Sequence, residues 1–520
     1  MTETTSPPEH GVSDKGLKSG AIGLLSTTVI GVASTAPGYS IAASLTAIAA
    51  AASADVGNQA PAILLIAFVP MLFIAAAYKY LNRADPDCGT TFTWVTRAVG
   101  PKSGWIAGWA IIVADLVFMP SAGQIAGSYT FQLFGADGIA QNTGGFWVTF
   151  VGAIFILLMT WICVVGIELN ARTQFVLLVA ELVILVIFSG LALYQAIVSK
   201  DPHTVTPAWS WLNPFAIKNS SALAGGMVVA VFFYWGWDTA VAVNEETKDS
   251  RRTPGIAAVV STLVLVLTYV VVAVAAQSVR GAGFVANDSS GDILGALGKT
   301  VMGSGWSKLL VLAVLSSAIA TTQTTILPAA RSGLAMGAHK ALPDWFAKID
   351  PRHLTPANAT WFFGGLSVIW YLGLTLLSNQ LGGSGNVLGA SIAAVGLMIA
   401  FYYGATGYAC VIYFWRHLTK SWKSFLYVGV GPFLGAVILT WVFVKSTWDF
   451  RNDQGNGALF GVSLEFVTGI GMLVIGIPLM LWWRSRQRDF FDLRRDPPEL
   501  RPGPFEGEAP PLGGVRVTED

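Results

Sequence analysis

Twelve apolar stretches, each long enough to cross about 30 Å of hydrocarbon, recur along this chain, and no other feature constrains its fold as strongly. They cover residues 22–52, 59–81, 103–134, 146–167, 171–198, 220–246, 255–279, 306–335, 358–378, 385–415, 424–446 and 460–483. Lipid offers backbone N–H and C=O groups no partner, so stretches of this length cross it as helices. The expected fold class is an all-α membrane protein of twelve transmembrane helices. Composition agrees, since only 12% of the 520 residues are charged and mean hydropathy is +0.60. A soluble chain carries roughly twice that charge fraction. The net charge of +1 points away from a nucleic-acid partner, so the lipid bilayer is the macroscopic partner expected.

Lys and Arg are retained on the cytoplasmic side, so alternate loops reveal orientation. With the N-terminus inside, the outer loops and helix ends carry only Lys200, Lys218, Arg280, Lys299, Lys308, Lys445 and Arg451 of 31 basic residues. The Arg484, Arg486 and Arg488 cluster after the last span also falls inside. Both termini are expected in the cytoplasm of a plasma-membrane, multi-pass protein. Residues 1–17 read as a polar tail without the pattern of a cleaved signal. Residues 18–484 read as the transmembrane unit, and the charged, Pro-rich stretch 485–520 as a disordered tail. Cys163 and Cys410 lie in spans and Cys88 in a loop, so no disulfide framework is expected.

Two spans are poor continuous helices. The first contains Gly31-Val32-Ala33-Ser34-Thr35-Ala36-Pro37-Gly38-Tyr39-Ser40, and the sixth contains Phe232-Phe233-Tyr234-Trp235-Gly236-Trp237-Asp238-Thr239. Five spans separate them, so the two cross in opposite directions, as an inverted repeat of helices 1–5 on helices 6–10 would produce. Broken backbone at membrane depth is tolerated only where it is buried or lines a cavity. Half-helix N-termini offer N–H donors to a carboxylate, while half-helix C-termini and free carbonyls suit an ammonium or metal cation. Two such breaks at corresponding positions are the expected binding site of a small solute. The alternative for either alone is a kink or a close-packing point.

Three further segments carry a family resemblance. Gly236-Trp237-Asp238-Thr239-Ala240 is followed by Asn244-Glu245-Glu246-Thr247-Lys248-Asp249, Arg252 and Pro254. Asp85-Pro86-Asp87-Cys88-Gly89-Thr90-Thr91-Phe92-Thr93-Trp94 runs on to Gly100-Pro101 and Gly104-Trp105-Ile106-Ala107-Gly108-Trp109. Arg331 precedes Ala341-Leu342-Pro343-Asp344-Trp345-Phe346 and Thr355-Pro356. In this order they resemble the helix 6, helix 2–3 loop and post-helix 8 segments of the amino acid–polyamine–organocation permease superfamily, over residues 18–415. The resemblance implies a five-plus-five inverted repeat with discontinuous helices 1 and 6, repeat one at about 18–198 and repeat two at about 220–415, plus two extra helices at about 424–483. It implies a secondary active transporter of an amino acid or related amine, working by alternating access and coupled to a proton. A polyamine or amine exchanger and a potassium or sodium-linked carrier on the same fold remain open, as does a channel or sensor. Where most amino acid permeases of the superfamily show Gly-Ser-Gly in helix 1, this chain has Gly31-Val32-Ala33 followed by Ser34-Thr35-Ala36-Pro37.

Ionisable groups at bilayer depth are costly and functional by default. Glu181, in the fifth span, falls by resemblance where proton-coupled relatives often carry a lysine, so it is expected to exchange a proton or balance a cation. Its alternative is a protonated packing residue. Asp238 matches a gating acid of exchangers in the superfamily, and Asp115 in the third span is placed to face a substrate ammonium. Three acids without an intramembrane Lys or Arg favour amine-bearing substrates over anions. The expected substrate contacts are Ser34, Thr35, Ala36, Gly38, Asp115, Phe232, Trp235, Gly236 and Trp237, the aromatic rings attracting an ammonium or simply packing. Thr321 and Thr322, in the hydroxyl run of the eighth span, are expected beside Glu181 or a cation, with helix–helix hydrogen bonding as the alternative. Glu245, Glu246, Lys248 and Arg252 resemble a cytoplasmic gate of ion pairs, or else form a solvated loop. The histidines His10, His203, His339, His353 and His417 show no metal-ligand spacing, and no phosphate loop or nucleophile elbow occurs. No cofactor, metal or enzymatic activity is expected.

Overall fold

A computed structural model describes residues 15–53, 58–199, 202–287, 292–380, 387–451, 458–459, 461–493 and 501–505. Among them, ten helices are long and apolar enough to cross a membrane. Labelled with the shorter helices that bear on the site, the chain runs α1 (Leu24–Ser34), α2 (Pro37–Ser53), α3 (Ala60–Ala84), α4 (Thr91–Ala98), α5 (Pro101–Leu133), α6 (Phe146–Val165) and α7 (Ile167–Val198). It continues with α8 (Ser220–Phe233), α9 (Thr239–Ala242), α10 (Thr253–Arg280), α11 (Lys308–Ala338), α12 (Ala357–Asn379), α13 (Ala390–Tyr413), α14 (Trp422–Phe450) and α15 (Leu464–Arg486). The first and sixth apolar stretches are the two that are not continuous: α1 and α2 divide one, α8 and α9 the other.

Burial grades the bundle into a centre and a rim. The apolar windows of α5 and α11 are 89% and 83% buried, against 33% for α12 and α15. The rim helices turn Leu157, Trp161, Val186, Leu376 and Leu481 outward, the surface a hydrocarbon solvent requires. Where burial cannot drive helices together, small residues let backbones approach. A Cβ at Gly127 would lie 2.2 Å from the Val148 carbonyl oxygen, and one at Gly152 would lie 2.3 Å from that of Gly123, which sets the α5–α6 seam. Between α6 and α7 the chain reverses on Gly166 alone, at φ 146°, a conformation that glycine reaches without strain.

The tail expected to be disordered from residue 485 is in part packed. Phe490 stacks on Phe92, with ring centroids 5.4 Å apart, because its ring and that of Phe491 complete an apolar cluster with Trp105 and Met336. Arg501 donates to the carbonyls of Arg97 and Ile412. Residues 494–500 and 506–520, and 1–14 of the polar N-terminal tail, lie outside the described residues. Cys88, Cys163 and Cys410 are buried free thiols.

Candidate functional site

The break between α1 and α2 follows from its residues. Thr35 turns its hydroxyl back to the Val32 carbonyl at 2.7 Å, Ala36 sits at φ 47°, and Pro37, lacking an N–H, starts the new helix. The freed groups find side-chain partners from other helices. The Ser34 carbonyl accepts from Thr321 of α11 at 3.0 Å, and the Thr35 carbonyl accepts from Tyr269 of α10 at 3.3 Å and from Ser40 at 2.8 Å. At the α2 N-terminus, the Gly38 N–H donates to Glu181 Oε1 of α7 at 2.5 Å. The Tyr39 N–H donates to Ser317 Oγ of α11 at 3.1 Å, and that hydroxyl donates to the same Glu181 oxygen at 2.9 Å. Glu181 is fully buried, and its other oxygen, Oε2, has no partner among the described residues.

The second break lies directly against the first. Gly236 adopts φ 116°, and a Cβ there would stand 2.7 Å from the Ser34 carbonyl carbon and oxygen. Ser34 and Thr239 pair their hydroxyls across the contact at 2.9 Å. The Tyr269 hydroxyl also donates to the Phe233 carbonyl at 2.6 Å, so one side chain holds the C-terminal ends of both half-helices. Gly236→Ala is therefore expected to cost about 1–3 kcal/mol from the backbone conformation alone. Forced separation of the breaks adds to this. A lowered melting temperature in detergent together with lost ligand binding is the expected readout, and a variant with both at wild-type level would contradict the close approach.

Between the breaks, α5, α11 and α13 enclose a crevice lined by Ser34, Ile111, Asp115, Trp235, Gly236, Asp238, Thr239, Thr325, Pro328 and Tyr402. It is too narrow here to admit water. Asp238 accepts from the hydroxyls of Tyr402 at 3.1 Å and Tyr403 at 2.9 Å, and the Trp235 indole N–H donates to Tyr402 at 2.6 Å. Asp115 is 3% exposed, and its Oδ2 has no hydrogen-bond partner among the described residues. It also borders a second narrow crevice with Ile112, Met119, Phe363 and Ser367. Among the described residues, neither crevice is lined by Lys, Arg or His. Phe118, Phe232 and Trp235 pack together beside the first, with Phe118 and Trp235 centroids 5.2 Å apart and Tyr39 edge-on to Phe118 at 5.7 Å.

The structure thus brings Ser34, Asp115, Trp235, Gly236 and Asp238 to one crevice. Thr35, Ala36 and Gly38 form the first break beside it, and Phe232 belongs to the neighbouring ring cluster. Trp237 faces elsewhere, against Tyr78 and Tyr403 at 5.0 and 5.1 Å. Thr321 reaches the break, while Thr322 bonds back to Ala318 of its own helix. Nothing in the sequence marks Tyr269, Tyr402 and Tyr403 as site residues, and Ser317 rather than Thr322 is the hydroxyl that meets Glu181.

At one end of the bundle a second, charged constellation joins the loop after α3 to the segment after α9. Lys15 places its ammonium 2.8 Å from Asp87 and 2.6 Å from Glu245. Glu245 also accepts the Cys88 N–H at 2.9 Å, and His339 stands 3.5 Å from Asp87. Ile22 pairs in parallel with Thr247, which ties down the chain that carries Lys15. Burial would lower the Lys15 value, but the neighbouring Asp87 and Glu245 carboxylates hold it well above the usual lysine range. Burial would likewise raise Asp87, yet Lys15 and His339 keep it well below the carboxylate range. Burial and Glu245 push the Cys88 thiol well up. Glu246 meets Arg331 through two N–H donors at 2.9–3.1 Å, with both side chains fully buried. Lys248 and Arg252 are exposed, so the partners that Glu245 and Glu246 find come from the N-terminal segment and α11.

Comparison with known proteins adds the following. The family model described as amino acid permease matches residues 22–483. The branched-chain amino acid permease BcaP of Bacillus subtilis is 23% identical over 326 residues, 59% of this chain and 65% of that protein. BcaP of Lactococcus lactis is 22% identical over 417 residues, 78% of this chain and 86% of that protein. The mitochondrial cationic amino acid transporter 3 of Arabidopsis thaliana is 22% identical over 350 residues, 65% of this chain and 56% of that protein. The matched stretch covers under two thirds of the Bacillus and Arabidopsis proteins.

Proposed function

Since the chain belongs to the amino acid permease family, whose members named above are transporters rather than enzymes, we propose that it is a secondary active transporter of an amino acid or related amine. The observation that carries this reading is the crevice between the two breaks, where, among the described residues, Asp115 holds a buried carboxyl oxygen without a partner and no basic side chain lines the crevice. An uncompensated acid in a dry site either takes up a proton or is met by a cation, and the second outcome is the one that Trp235 and its neighbouring rings assist, since their π-faces attract the same cation. The names of the relatives, amino acid permeases and a cationic amino acid transporter, support an amine-bearing substrate.

Ten continuous helices and two divided ones, five spans apart, among the described residues support twelve spans in a five-plus-five inverted repeat, and the few basic residues on alternate loops support both termini in the cytoplasm. Glu181 serves as the coupling group, linked to the first break through Gly38 and carrying one free oxygen for a proton. The Lys15–Asp87–Glu245 and Glu246–Arg331 pairs serve as the cytoplasmic gate, separating when that side opens.

A thermal-shift screen on purified protein tests the reading. A ligand at 100 times its Kd stabilises by about 2.7 kcal/mol, enough to read as a raised melting temperature. Amino acids or amines are expected to give that shift and Asp115→Asn to weaken it, by about 10- to 100-fold in affinity, the scale of one charge-assisted hydrogen bond. No shift from any amine or amino acid would sink the proposal.

A further inference from the structure

The α2 N-terminus is where a substrate carboxylate would find backbone donors, but in this protein those donors are already taken. Pro37 has none, the Gly38 N–H is held by Glu181, the Tyr39 N–H is held by Ser317, and the Ser40 N–H closes the first turn on the Ala36 carbonyl. On the preceding side, the Thr35 and Ala36 N–H groups turn back to Val32 and Ala33. The protein's own carboxyl therefore stands where an anionic group would dock. Each neighbouring hydroxyl of the breaks is also engaged: Ser34 with Thr239, Thr35 with Val32, and Thr321 with Ser34. The crevice itself offers two acids and no basic side chain among the described residues.

Resting on the transport reading above, we infer that this site takes amines that lack a carboxylate, such as mono- and diamines, in preference to the amino acids from which they derive. A zwitterion entering the crevice would bring a carboxylate close to Asp115 and Asp238 with no free backbone donor at the α2 N-terminus to receive it. Leaving such a group unpaired in a dry site is strongly unfavourable. A primary ammonium has Asp115 Oδ2 and the aromatic faces as partners, so removing the carboxylate removes the repulsion and keeps the attraction.

Matched pairs that differ only in the carboxylate isolate this point: putrescine with ornithine, agmatine with arginine, and isobutylamine with valine. In thermal-shift and competition assays on the full chain, the amine of at least one pair is expected to bind about 100-fold tighter than its amino acid, the scale on which a pocket rejects a group it cannot pair. Glu181→Ala frees the Gly38 N–H, so in that variant the disfavoured amino acid is expected to gain affinity relative to its amine. If each amino acid binds as tightly as its amine or tighter, the inference is overturned while the transport reading stands. If no amine or amino acid binds, in these pairs or in the wider thermal-shift screen, both fall. Should Glu181→Ala fail to fold, the wild-type pairs decide alone.

Discussion

Arg331→Met is expected to destabilise the protein by about 3–5 kcal/mol, the range seen when one partner of a buried ion pair is removed. Arg331 and Glu246 are both fully buried and share three N–H···O contacts of 2.9–3.1 Å. Methionine fills much of the arginine stem's volume, so the loss falls chiefly on the Glu246 carboxylate, left without a counter-charge. The double replacement Arg331→Met with Glu246→Met removes both charges and should recover most of that loss, since apolar substitution of a complete buried pair is often neutral or better. Melting temperature in detergent and the monodisperse yield measure both. A double variant as unstable as the sum of the two singles would show that the pair does not act as a unit. A recovered double variant that binds ligand but no longer transports would support the assignment of this pair to a gate.

The second large effect is expected at Glu181, and it separates coupling from structure. Glutamine keeps the Oε1 acceptor that receives the Gly38 and Ser317 donors, and it nearly keeps the volume. What it loses is the capacity to change charge. Glu181 Oε2 has no partner among the described residues, so it is the oxygen at which a proton can arrive and leave without breaking the bond that holds α2. Glu181→Gln should therefore fold, bind ligand and let it cross, while losing the link between that movement and a proton gradient.

Much of the architecture was legible because a bilayer reduces the choice of structures so severely. Length and hydropathy located the spans, and Gly, Pro and small polar residues in the first and sixth located the breaks near Ala36 and Gly236. Buried carboxyls were legible for the same reason, since Asp115, Glu181 and Asp238 have no cheap explanation in hydrocarbon. Which face of an apolar helix meets the site was not. Trp235 and Trp237 lie two residues apart on unwound backbone and diverge, one toward the crevice and the other toward Tyr78. Tyr269, Tyr402 and Tyr403 lie on predominantly apolar helices, so no periodicity marked their polar ends as turned inward.

The charged end was read least well, for a related reason. Glu245 and Glu246 have basic neighbours in sequence at Lys248 and Arg252, with which they resemble a cytoplasmic gate of ion pairs. Their actual partners, Lys15 and Arg331, are remote in the chain, brought there by the Ile22–Thr247 pairing and by the end of α11. Lys15 in particular sits in a segment whose composition reads as a plain polar tail. A buried lysine held by two carboxylates is a property of the tertiary structure alone.

Proton coupling through Glu181 is tested most directly by gradient-driven uptake into proteoliposomes, measured with a labelled ligand from the thermal-shift screen under an imposed, inside-alkaline proton gradient, for the wild type and Glu181→Gln in parallel. The wild type should concentrate the label above its external level, and the variant should only equilibrate it. Accumulation by Glu181→Gln to the wild-type level would contradict a coupling role for Glu181.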